Sequence, residues 1–138
     1  MRKIILFVLS LSVMSIILIG CQPNDSKGLP DENISKVSFS KSNGFGKVNS
    51  EFFRVYEDKE TLEIFKNAIS NAVKLEGIAD MAEPEFDIKV VYTDGNKQGY
   101  HLWVGKKGRK STIMNVNDTH TIYSISEEIT NNLIDLVK

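Results

Sequence analysis

Cysteine occurs once in the 138 residues, at Cys21, so an intrachain disulfide is excluded. Histidine occurs twice, at His101 and His120, and with a single thiol these are too few for a structural zinc site. Positive charge is not in excess either: 17 Lys and Arg face 18 Asp and Glu, a formal net charge of -1, without the basic footprint of a nucleic-acid binder. Three prolines and nine glycines are too few for a collagen-like or low-complexity chain. Nor is there a long hydrophobic run. The stretch Ile4 to Ile19 is 16 residues, interrupted by Ser10, Ser12 and Ser15, against the roughly 20 that span a bilayer as a helix. Nucleophile signatures (G-x-S-x-G, S-x-x-K), a P-loop and a dinucleotide fingerprint are all missing. A calcium loop begun at Asn115 fails, because His120 and Ser126 stand where Gly and Glu are needed. These residues therefore call for no metal or other cofactor. What is present, 41% hydrophobic and 25% charged residues, is the composition of one ordinary globular domain.

Arg2 and Lys3 precede the apolar stretch, the order of a secretory leader. The stretch ends in Leu18-Ile19-Gly20-Cys21, which resembles the lipobox of bacterial lipoproteins. That resemblance implies cleavage between Gly20 and Cys21 and a diacylglyceryl group on the Cys21 thiol. The chain is then expected on the outer face of the cell membrane of a Gram-positive host, held by lipid. One acyl chain anchors only marginally, at about 0.8 kcal/mol per buried CH₂, so two or three chains on one residue are what hold durably. Loss of residues 1–20 removes Arg2, Lys3 and no acid, leaving 118 residues with 15 basic and 18 acidic side chains, a net charge of -3. Residues 21–33 read as the lipidated cysteine and a flexible tether of about 20 Å, and residues 34–138 as a single domain.

Within the domain, Val37 and Phe39 alternate with polar residues over Ile34 to Lys41, the period of a strand. Asn43-Gly44-Phe45-Gly46 marks a turn, and Glu51 to Tyr56 (EFFRVY) a second strand paired with the first. Asp58 is predicted to cap a helix from Lys59 to Glu76, with Leu62, Phe65, Ile69, Ala72 and Val73 on its buried face and Gly77 ending it. Phe86, Ile88, Val90 and Tyr92 alternate in a third strand, and Asp94-Gly95 turns the chain. Tyr100, Leu102 and Val104 mark the next strand, followed by the turn GKKGRK, a strand from Thr112 to Val116 and a short one from Thr121 to Ile125. Ser124 with Glu127 has capping-box spacing, and Ile129, Leu133, Leu136 and Val137 mark a closing amphipathic helix. The short turns require antiparallel pairing. The expected fold class is α+β: an antiparallel meander sheet with two helices packed on one face, order ββαββββα.

Three groups of residues could carry chemistry. His120 with Asp118 and Ser124 can be drawn as a hydrolytic triad, although closeness in sequence is not geometry. Lys106, Lys107, Arg109 and Lys110 crowd a hairpin tip, where cations meet anionic surfaces or simply keep a turn soluble. On the sheet face opposite the helices, His101 and Trp103 are expected to point outward, with Arg54 and Tyr56 extending the face beside Phe52 and Val91. Aromatics with an arginine are favoured at binding hot spots. The alternative is that the N-terminal hairpin, the tether or a second copy covers them, since a two-layer domain need not leave a sheet face bare.

Tyr100-His101-Leu102-Trp103, Thr112-Ile113-Met114 and Thr121-Ile122-Tyr123-Ser124-Ile125 give the stretch from Asn33 to Lys138 a resemblance to the YhfM-type lipoproteins of Bacillus and its relatives. The resemblance implies anchoring and a shared fold, and it carries no catalytic residues. The expectation is thus a lipid-anchored, non-enzymatic binding domain, with the membrane as one partner and an envelope protein or anionic polymer as another. The alternatives are a small envelope hydrolase using His120, and a solute-capture lipoprotein. For the last, 118 residues are few for two closing lobes.

Overall fold

The computed structural model describes residues 29–77 and 80–138. The expected leader, the Gly20–Cys21 junction and the tether before Leu29 lie outside the described residues. Strand β1 (Ile34–Lys41) and strand β2 (Phe52–Tyr56) pair antiparallel as expected. Helix α1 (Lys59–Ser70) follows, then a two-residue strand β3 (Val73–Lys74). Strands β4 (Phe86–Tyr92), β5 (Lys97–Trp103), β6 (Ser111–Asn115) and β7 (Asp118–Ile125) form the meander, and helix α2 (Glu127–Val137) closes the chain. All pairings are antiparallel, and the strand order is β2-β1-β4-β5-β6-β7-β3. The chain makes its hairpin at one edge, crosses through α1 to the far edge at β3, and returns to lay β4 against β1.

Both helices begin where local chemistry starts them. The Asp58 carboxylate accepts the Thr61 N–H at 2.9 Å, satisfying one of the free donors of the first turn. The Thr61 hydroxyl first, and then this N–H, hold the Asp58 carboxyl below its ordinary value. Ser126, rather than the expected Ser124, caps α2 by accepting from Ile129 N–H; Ser124 belongs to β7. The first helix is also shorter than its periodicity predicts. Asn71 ends it, with its backbone N–H and its side-chain amide both turned back to the Asn67 carbonyl. Val73 then leaves the expected buried face and pairs with Ser124, 64% exposed, while Leu75 N–H bonds Ile122 O at 2.9 Å. Ladder pairing for a β-branched residue outweighs one more helical turn here. Gly77 does adopt positive φ (109°), several residues past the end of the helix.

The core lies between the helices and one face of the sheet. Phe39, Ile88 and Tyr100 stand in register across β1, β4 and β5, and Leu102 faces Ile113 across β5 and β6; all are buried. Phe65 and Ile69 of α1 and Leu133 of α2 close over them, with the Phe65 ring 5.1 Å from that of Phe39. Each such side chain contributes about 1.5–3 kcal/mol by leaving water. One polar pair sits inside: the Tyr92 and Tyr100 hydroxyls share a hydrogen bond at 3.0 Å, and burial pushes both phenols up. Leu29, expected within the tether, is 8% exposed and joins this core. Among the described residues no helix is long and apolar enough to cross a membrane.

Candidate functional site

The sheet face away from the helices carries a ladder of Ser40, Asp87, His101, Met114 and Ile122, in register across β1, β4, β5, β6 and β7. The expectation of an open face here needs correction. The connection between β1 and β2, residues 42–51, folds down over it. His101 and Asp87 are both 0% exposed. Asp87 Oδ2 accepts Asn49 N–H at 2.8 Å, and His101 Nε2 accepts Gly46 N–H at 3.0 Å. An Nε2 that accepts carries no proton, so Nδ1 bears it and donates to Asp87 Oδ1 at 2.8 Å. Phe45 lies edge-on to the His101 ring, 5.7 Å between centroids. The loop packs so closely that a Cβ on Gly99 would come within 2.5 Å of Val48 Cγ2 and 2.9 Å of Val116 Cγ2. Two buried side chains thus supply acceptors to a loop whose amides would otherwise be unpaired. The dyad is a latch for the loop, and its ring has no nitrogen free for a ligand.

Trp103 does lie on this face, half-buried. Its indole N–H donates to the carbonyls of Ala82 (3.0 Å) and Glu83 (3.2 Å), and its ring lies tilted by 40° against Phe45, 6.1 Å between centroids. Arg54 and Tyr56 do not join it. A bulge between Phe39 and Ser40 shifts the register of β2 and turns both side chains toward the helices. Tyr56 packs on Phe39 and Phe65 and donates its hydroxyl proton to Leu136 O at 2.7 Å. Arg54 Nη2 donates to Lys138 O at 2.7 Å. These two residues satisfy carbonyls that the end of α2 leaves free.

His120 is exposed on β7 and lines none of the four best-formed clefts among the described residues. Asp118 accepts the backbone N–H of His120, and the Thr121 hydroxyl lowers the Asp118 carboxyl below its ordinary value. Ser124 is four residues further along the same strand, about 13 Å away at strand rise, so the three side chains cannot form a triad. The Asn115–Asp118 turn is accounted for by Asn115 Oδ1, which accepts from Asn117 N–H and from Gln98. Among the described residues no three His, Cys, Asp or Glu gather as metal ligands.

A cleft of about 900 Å³ opens on the helix side instead, between α2, the β5–β6 turn and the start of β4. Its floor is apolar: Phe86, Val104, Ile134 and Val137. Four lysines stand on its walls (Lys41, Lys106, Lys107 and Lys138), with Glu85 and Asp135 as the counter-charges. Lys41 Nζ sits 4.1 Å over the Phe86 ring. Lys106 and Lys107 are the inner half of the basic tip found in the sequence; Arg109 and Lys110 are exposed beyond it.

The turn that carries these lysines is fixed. Gly105 N–H donates to Ser111 Oγ, whose hydroxyl pairs with Thr130 of α2 at 2.8 Å, and Gly108 N–H donates to Asn131 Oδ1 at 3.0 Å. Gly105 has no room for a side chain, since a Cβ would lie 2.3 Å from Lys110 O. Periodicity could find the floor residues only as core. That they border a cleft depends on four segments meeting, and the sequence carries no signal for it.

Comparison with known proteins adds two findings. A family model described as YhfM protein matches residues 30–138. A solved structure, that of a thioesterase-like protein from Clostridium sporogenes, is similar in fold: TM-score 0.59 and 22% identity, covering 75% of this chain and 93% of that one. No curated protein matches.

Proposed function

The chain belongs to the YhfM family, and on that premise we propose that it is a binding domain held at the outer face of the cell membrane by lipid on Cys21. Its ligand site in this reading is the cleft between α2 and the β5–β6 turn. The observation that carries the reading is the combination found there: an apolar floor, a surplus of lysines, and a turn fixed to α2 by Gly108 and Asn131. A concave, mostly apolar site with a few fixed polar groups is where proteins of this size take ligands, and about 900 Å³ falls within the usual range. The basic tip is then part of the site wall. An envelope protein or anionic polymer remains the kind of partner expected, meeting the basic tip at the rim of the cleft.

The similarity to a thioesterase-like protein extends to the fold alone at 22% identity. The hydrolase expected from the sequence, one working through His120, would need an accessible histidine beside a nucleophile. His101 is sealed under the loop, and His120 stands on an exposed strand with Ser124 out of reach.

The test is in-cell crosslinking from a photoreactive residue placed at Asn132 on the cleft wall or, as a control, at His120. A discrete adduct from Asn132, absent from His120, is expected. Equal capture from both positions, or none from Asn132 in a chain that fractionates with membranes, would overturn the reading. Cys21→Ser is expected to release the chain from the membrane fraction or leave it unprocessed, and unaltered anchoring would remove the lipid from the proposal.

A further inference from the structure

We infer that the ligand of this cleft is a monomeric single-chain amphiphile with an anionic head, a carboxylate or phosphate. The inference rests on the cleft being the binding site and goes beyond it to the chemistry of the occupant. Charge sets the head. Four lysines and two carboxylates border the cleft, a surplus of two positive charges on a chain whose expected mature form is net negative. Among the described residues none of these lysines is in a salt bridge: Lys36 pairs with Glu57, and the buried His101–Asp87 contact is a hydrogen bond on the other face. The backbone that carries Lys106 and Lys107 is also held in place. Arg109 N–H closes their turn onto Lys106 O at 2.9 Å, and Gly108 ties it to α2. Lysines on a fixed turn, outnumbering the carboxylates beside them, attract an anion at reduced ordering cost.

The floor sets the tail. Phe86 and Ile134 are 7% and 9% exposed, so the sheet and helix side chains behind them leave only a narrow apolar strip facing the cleft. Val104 and Val137 extend that strip along the lysine-bearing wall and the last turn of α2. A strip with cations at its edge matches one extended hydrocarbon chain ending in a negative group. A sugar or a peptide segment rich in polar groups would leave its own polar groups unpaired against this floor.

The experiment uses the full chain in isolated membranes and three photoreactive probes that share a twelve-carbon chain: a carboxylate, a trimethylammonium and a neutral alcohol. The carboxylate probe is expected to label peptides from β5–β6 and α2 saturably, with at least tenfold preference over the cationic probe. Unlabelled fatty acids and alkyl phosphates should compete about threefold to fourfold better per added methylene until the strip is filled. Lys106→Gln with Lys107→Gln should abolish the preference for the anion. Val104→Asp should abolish labelling by all three probes, with circular dichroism confirming that the fold persists.

Equal labelling by all three heads would overturn the anionic assignment. Labelling confined to Arg109 and Lys110 would mean that the tip only attracts anions at the surface. Labelling by a phospholipid-borne probe that survives extraction with fatty-acid-free albumin would make the occupant a bilayer lipid, and the monomeric assignment would fall. No cleft labelling alongside a discrete in-cell adduct from Asn132 would overturn the ligand class and leave the binding reading standing. Absence of both would overturn the two together.

Discussion

Replacing His101 with alanine tests the account of the loop over the outer face. The substitution removes the proton donor to Asp87 Oδ1 and the acceptor for Gly46 N–H, and opens a void beneath Phe45. Leaving the buried Asp87 carboxylate without its His101 donor costs about 1.5–3 kcal/mol, and an orphaned amide adds about 1–3 kcal/mol where water cannot reach it. The loop lies at the surface and can lift to hydrate both groups, so these costs do not add, and about 3 kcal/mol is the working figure. A domain of this size loses roughly 4–8 °C of Tm per kcal/mol, so a fall of about 12 °C or more is expected. Asp87→Asn is the companion with no cavity. Whichever way the amide is turned, it sets two donors face to face, either at His101 Nδ1 or at Asn49 N–H, and should cost about 1–3 kcal/mol. Thermal unfolding by circular dichroism gives the stability, and hydrogen exchange at Gly46 and Asn49 gives the local opening. A Tm within 3 °C of wild type, with exchange at both amides unchanged, would refute the latch.

Acid should destabilise the domain through Asp58 and Asp118, whose folded carboxyls are held below the ordinary value of 3.8 by Thr61 and Thr121. A depressed folded value means stability that is complete above the unfolded value and lost as pH falls through the folded one, so Tm should be flat from about pH 6 to 5 and drop below about pH 4. Asp58→Asn should shrink that acid-dependent fall, and an identical profile would refute the assignment. Gly105→Ala places a Cβ 2.3 Å from Lys110 O and should cost about 1–3 kcal/mol while loosening the lysine-bearing turn. Exchange at Gly108 reports that loosening, and a neutral effect would mean the turn adjusts freely. Tyr56→Phe deletes one hydrogen bond to Leu136 O and should cost about 1 kcal/mol, with fraying confined to the end of α2. Trp103→Ala should lower stability by about 2 kcal/mol, because a half-buried indole with two carbonyl partners is lost, and an unchanged Tm would return Trp103 to a free surface.

Much of the fold is written in local pattern. The alternation of Phe86, Ile88, Val90 and Tyr92, and of Tyr100 and Leu102, states which face is buried, and all six side chains are buried. The Asp58 cap is legible because the chemistry of a cap is confined to four residues. Period alone misplaced the end of α1, since Ala72 and Val73 fit a helical stripe, while the competing partner of Val73, Ser124, lies some fifty residues away. The same holds for Arg54 and Tyr56. One extra residue at the β1–β2 bulge reverses which face they take, and a bulge leaves no mark in a five-residue aromatic strand. His101 was placed on the correct face of β5. A cover from the N-terminal hairpin is one of the alternatives the sequence leaves open, and the ten residues between β1 and β2 favour it, since they exceed a tight hairpin and include Phe45 and Val48, apolar side chains that need somewhere to pack.

The cleft on the opposite face follows from how α2 crosses the sheet. Tyr56 and Arg54 hold the end of that helix at β2, while Asn131 and Thr130 draw its first turns toward the β5–β6 turn, four strands away. A helix so placed passes over the strands and leaves the end of β1, the start of β4 and the residue after β5 (Lys41, Phe86 and Val104) along its flank. The 42–51 loop, which follows Lys41 directly, is committed to the other face by Asp87 and His101. The latch on one face thus keeps that loop away from the cleft on the other.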